Sequence, residues 1–62
     1  MLSFQEMLAV IDRSTRVDAG GYEYTSVVKI RDELTYQWGF EEFQVRQTIF
    51  DMRNRGLLRY NT

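Results

Sequence analysis

The sequence predicts an α+β domain: a three-helix core carrying a small two-stranded antiparallel sheet. Three observations lead there. Val45, Ile49 and Met52 recur at i, i+4 and i+7 and stop before Gly56, which is the pattern of one buried helical stripe closed by a glycine. Val27, Ile30, Leu34 and Trp38 repeat the pattern one helix earlier and stop before Gly39. Upstream of both, Tyr22-Glu23-Tyr24 alternates aromatic and polar side chains as a short strand does.

The first helix is expected over residues 3–14. Ser3 and Glu6 form an S-x-x-E capping box, and Leu2 with Met7 stands at the N′ and N4 positions of a hydrophobic staple. Phe4, Met7, Leu8 and Ile11 supply its expected core stripe. Val10 falls beside that stripe, so Met7 and Val10 either widen the core face or border a homodimer contact.

The chain then changes character. Asp18, Ala19, Gly20 and Gly21 make a turn-prone stretch leading into the Tyr22–Tyr24 alternation. The glycine pair lacks the spacing, the preceding strand and the following helix of a phosphate-binding loop, so a turn is the reading it supports. If the Tyr22–Tyr24 segment were loop instead of strand, the fold would reduce to a plain three-helix bundle.

Thr25 or Ser26 caps the second helix, which should run to Trp38 with Gly39 at C′ and Phe40 folding back on Leu34. The third helix should begin near Glu41. Glu41 and Glu42 complement the positive end of its macrodipole, and as adjacent helical residues they point too far apart for acid–base work. Phe43 and Phe50 share a line beside the Val45 stripe, where core packing is the expected use and an exposed interaction anchor the other. Arg53, Arg55 and Arg59 collect toward the C-terminal end. Residues 57–61 alternate weakly and are expected to form the closing strand, with Tyr60 set against Tyr22 or Tyr24.

Around the turn, a small residue four positions before the glycine, an apolar residue just before it and a Val or Ile six after it are represented by Thr35, Trp38 and Val45 about Gly39. With the ending Val45, Ile49, Met52, Gly56, Leu57, Leu58, these positions resemble the winged helix-turn-helix superfamily. Thr35 departs from that family's common alanine, and few residues follow Leu58 for a wing. The resemblance implies a winged-helix-like three-helix core over residues 1–62 as one domain, with its small strand paired to the strand after the third helix and little or no wing.

What the resemblance implies for function is a small DNA-binding regulator or accessory factor that places its third helix in the major groove. Arg and Gln read guanine and adenine edges there. Gln44, Arg46, Gln47 and Arg53 are the expected contacts, with Lys29 and Arg31 on the phosphate backbone. Double-stranded DNA is then the expected partner, helped by a homodimer or a protein partner. The alternative is a protein–protein interaction module on the same scaffold. Its support is a net charge of -1, from eight basic and nine acidic side chains, and the acidic start of the third helix.

Composition argues against other classes. There is no histidine and no cysteine, hence no metal site of the usual kind, no disulfide framework and no His- or Cys-based catalysis. No nucleophile elbow or P-loop is present either, so no enzyme activity, cofactor or small-molecule substrate is expected. The apolar run 7–11 is too short for a membrane span, and Glu6 interrupts the apolar opening of the chain, which leaves a cytoplasmic protein as the expectation.

Overall fold

In the computed structural model, which describes residues 1–58, the chain order is α1 (Phe4–Arg13), β1 (Thr15–Val17), β2 (Glu23–Thr25), α2 (Val27–Tyr36) and α3 (Glu42–Asn54). Three helices and a two-stranded antiparallel sheet make the fold α+β, as the sequence predicts.

Local chemistry sets each boundary. At the start of α1, the Ser3 hydroxyl accepts the Glu6 backbone N–H at 3.1 Å while the Glu6 carboxylate accepts the Ser3 N–H at 2.8 Å. Two of the orphan donors of the first turn are satisfied by this exchange. The same hydrogen bonds hold the Glu6 carboxyl below the ordinary glutamate range, led by the backbone bond at Ser3. Ser26, not Thr25, caps α2, its hydroxyl accepting the Lys29 N–H at 3.3 Å.

Two further ends differ in an informative way. At α3, the Leu57 N–H reaches the Met52 carbonyl at 2.9 Å and the Gly56 N–H reaches that of Arg53 at 3.0 Å, with Gly56 at φ +75°. This is the Schellman pattern, and it needs the left-handed residue that glycine supplies. At α2 the expected end at Trp38 is corrected. Gln37 and Trp38 both donate to the Glu33 carbonyl, which widens the last turn, so the helix stops at Tyr36. Gly39, at φ +68°, lies farther out in the connecting turn, and Phe40 closes it by donating to the Leu34 carbonyl at 2.9 Å.

The sheet contains a strand, β1, that the sequence does not announce. β2 pairs with β1, in the register Thr15↔Thr25, Arg16↔Tyr24, Val17↔Glu23, and the expected partner strand after the third helix lies mostly outside the described residues. Asp18 turns the hairpin: its Oδ1 accepts the N–H groups of Gly20 at 2.8 Å and Tyr22 at 3.0 Å. The base of the hairpin is closed by one more backbone bond, from the Ser26 N–H to the Ser14 carbonyl at 2.9 Å. Leu57 and Leu58 are not in a strand, and the remainder of the expected closing strand, with Tyr60 and Arg59, lies outside the described residues.

The core is built from Leu2, Met7, Val10, Ile30, Leu34, Val45, Met52 and Leu58, with Ile11, Trp38, Phe40, Ile49 and Leu57 packed around it. On α1 the inward stripe is Met7, Val10, Ile11 and Ser14, a regular i, i+3, i+4, i+7 set. It is rotated from the expected one, so Phe4 and Leu8 are exposed. Leu2, folded under the helix by the staple, fills the place Phe4 was expected to take. Because Met7 and Val10 are fully buried, neither is available to border a homodimer contact.

Candidate functional site

On α3 the residues divide by angle. At about 100° per residue, Val45, Thr48 and Met52 face one side of the helix, and all three are buried. Thr48 keeps its hydroxyl satisfied there by donating to the Gln44 carbonyl at 2.7 Å. The opposite side carries Phe43, Arg46, Gln47, Phe50 and Asn54, all exposed.

The six residues expected at DNA all reach the surface, but they do not form one set. Gln44, Arg46, Gln47 and Arg53 lie on α3; Lys29 and Arg31 lie on α2. Gln44 is engaged in capping, its side-chain carbonyl accepting the Glu41 N–H at 2.8 Å. Arg46 points outward and its Nη2 meets the Glu42 carboxylate at 2.6 Å, with both side chains more than three-quarters exposed. Gln44 and Gln47 line a cleft of about 160 Å³ together with Met1, Phe40, Phe43 and Thr48. Lys29 belongs to a different depression of about 290 Å³, walled by Arg13, Arg16 and Tyr36 among others at the junction of α1 and α2.

The charge of α3 is therefore compensated along its length. Glu41 and Glu42 stand at its start, Arg46 is paired back to Glu42, and Arg55 is paired to Asp51 at 3.1 Å. No unbroken cationic strip runs along the helix.

The aromatic residues of α3 differ from the core packing their spacing predicts. Phe43 and Phe50 are 58% and 59% exposed, so core packing is not their use. Seven residues apart, they lie within about 20° of the same line on the helix. Between them sits the Arg46–Gln47 pair, and beside Phe43 opens the 160 Å³ cleft. The apolar content of α3 alone does not choose between its two faces. The row that is buried is Val45–Thr48–Met52, and it leaves both phenylalanines on the opposite side of the helix.

A second arrangement had no sequence signal at all. Arg13 at the end of α1 and Glu33 in α2 form a forked ion pair, and the Trp38 indole N–H donates to Glu33 at 3.1 Å. The Arg13 hydrogen bond, followed by that of Trp38, holds the Glu33 carboxyl below the ordinary glutamate range against its own desolvation. The pair in turn raises Arg13. Its role is to tie α1 to α2.

Among the described residues, no three or more Asp or Glu side chains stand close enough to hold a metal ion. No described helix is long and apolar enough to cross a membrane. No protein-family model, curated protein or solved structure matches the chain.

Proposed function

We propose that this chain is a protein-interaction module whose docking face is the outer side of α3, with Phe43 and Phe50 as its anchors. One observation carries the reading: two phenylalanines, each more than half exposed, are held in line on a helix where Arg46 is paired to Glu42 and Arg55 to Asp51. Large apolar side chains rarely stand exposed in register unless something covers them, and aromatic anchors flanked by polar groups are typical of binding hot spots. The winged-helix resemblance remains part of this proposal, supported by the α2–turn–α3 pair with its glycine at Gly39.

The test replaces Phe50 with the photoreactive p-benzoylphenylalanine and irradiates the protein in its source cells. The proposal expects cross-linked protein from position 50 and none when the same group replaces exposed Tyr36 on α2. Equal labelling from both positions would defeat it.

A second reading, a DNA-binding helix-turn-helix protein, is favoured by the outward placement of Arg46 and Gln47 midway along α3. Against it stand Glu41 and Glu42 at the end of the helix that would approach the phosphates. Titrating a mixed-sequence duplex at two salt concentrations separates the readings: DNA binding requires salt-sensitive affinity, and the interaction module requires none.

A further inference from the structure

We propose that the depression at the junction of α1 and α2 binds a nucleoside phosphate, with the phosphate on Arg16 and Lys29 and the base against Tyr36. The inference is independent of the α3 docking face and shares no residue with it. Its observation is a half-buried guanidinium that is fixed in place and left without a carboxylate.

Arg16 lies in β1, and its Nη1 donates to two backbone carbonyls, those of Arg13 and Thr15, each at 3.0 Å. The two bonds close the end of α1 and hold the guanidinium plane. A guanidinium carries five N–H donors. Those on Nε and Nη2 remain, and none of them meets a described residue. Charges withdrawn from water are ordinarily paired, yet the residue opposite Arg16 in the sheet is Tyr24.

Lys29, in the first turn of α2, lines the same depression of about 290 Å³ and also has no ion pair among the described residues. Of the two carboxylates there, Glu33 is spent on Arg13 and Trp38, while Asp32 has no ion pair. Two cations supplied by different elements to one depression suit a dianion, and the open side of an arginine fork matches phosphate oxygens.

The far end of the depression explains the rest of the ligand. Tyr36 is exposed and stands seven residues beyond Lys29, about 10 Å along the helix and nearly on the same line. An extended mononucleotide has a comparable reach from phosphate to base. The phenol ring offers a stacking face for the base, and the Gln37 amide beside it offers a donor and an acceptor for the base edge. Asp32, between the two ends, can accept from ribose hydroxyls, the use carboxylates have in dinucleotide sites. Phosphate alone would give that carboxylate nothing to do.

Lys29, Asp32, Tyr36 and Gln37 are all exposed, and the volume is at the lower end for ligand sites. A dissociation constant of about 0.1–1 mM is therefore expected.

The test is a chemical-shift titration of the purified, isotope-labelled chain with adenosine monophosphate, adenosine and sodium phosphate. Adenosine monophosphate is expected to shift amides within residues 15–17 and 29–37 saturably, and to bind at least tenfold more tightly than adenosine or sodium phosphate. Lys29→Gln should weaken it at least threefold. Tyr36→Ala should do the same while leaving inorganic phosphate unchanged. Both side chains are exposed and outside the core, so these variants test the site even if Arg16→Gln, which also loses the bonds closing α1, fails to fold. No saturation by about 10 mM, equal affinity for adenosine or phosphate, shifts centred elsewhere, or unchanged binding by Lys29→Gln overturns the proposal. Octauridylate distinguishes the source of the nucleotide. Affinity more than tenfold tighter and steeply salt-dependent assigns the site to single-stranded RNA, and affinity no tighter than that of the mononucleotide assigns it to the free ligand.

Discussion

Arg13 grips Glu33 with both prongs of its guanidinium, Nε on one carboxylate oxygen at 3.0 Å and Nη2 on the other, and so joins the end of α1 to the middle of α2. Glu33 is the enclosed partner, its side chain 14% exposed against 55% for Arg13. Removing the carboxylate therefore costs more than the solvated charge of Arg13 suggests, because the Trp38 indole N–H also loses its acceptor.

Glu33→Gln is expected to destabilise the domain by about 1 kcal/mol at pH 7, measured by urea unfolding with Trp38 fluorescence as the probe. The pH dependence follows from the lowered native pKa. A carboxyl that binds its proton less readily when folded stabilises the native state above the ordinary glutamate value of about 4.3, and that stabilisation is lost as pH falls through the lower native value. The difference between wild type and Glu33→Gln should shrink steadily below about pH 4. A difference that stays constant to pH 3 contradicts the assignment.

Gly56→Ala tests the Schellman ending. An added Cβ would meet nothing within 4 Å, so crowding is not the issue; the cost is the left-handed φ of +75° imposed on a residue that avoids it. A loss of about 1 kcal/mol is expected, with Gly56→Asn costing less because asparagine tolerates that region. Equal stability of all three proteins in denaturant would remove the conformational argument.

The two faces of α3 should respond oppositely to substitution. Met52→Ala empties a fully buried site and should cost about 2–5 kcal/mol, enough to unfold a domain this small or leave it marginal. Phe50→Ser should stay within about 0.5 kcal/mol of wild type in dilute solution, where no partner covers the ring. Thermal melts of the two variants decide it, and a large loss for Phe50→Ser would place that ring in the core.

Asp18→Ala should loosen the hairpin selectively. The Gly20 and Tyr22 N–H groups lose their common acceptor. Their amide exchange should accelerate several-fold while that of α3 is unchanged. Exchange that speeds up everywhere would make Asp18 a determinant of global stability instead.

What could be read from the residues alone was the chemistry that acts over a few positions. Ser3 with Glu6, Ser26 before Val27 and Gly56 after α3 are capping signals, and each sits where its motif places it. The Val45–Met52 stripe is legible because one face is buried and the period is short. β1 was not, because three residues of strand between a helix cap and a turn carry no periodicity, and their pairing depends on a segment across the hairpin. Nor was the rotation of α1, since Phe4, Leu8 and Val10 are all apolar and only packing against Ile30 and Leu34 selects Val10. The same ambiguity hid Phe43 and Phe50. The candidate site was thus half visible: Arg46 and Gln47 were placed on the surface by the stripe they avoid, while the rings beside them were not.

The bond from Ser26 to Ser14 gives the molecule a natural splice point. Because the chain departs and returns through one pinned junction, everything beyond it forms a side branch whose tip, from Asp18 to Gly21, is exposed. A short peptide tag or a fluorophore grafted at that tip should be carried without disturbing the trunk. The protein can therefore be labelled, immobilised or tracked from the hairpin, away from the helical core.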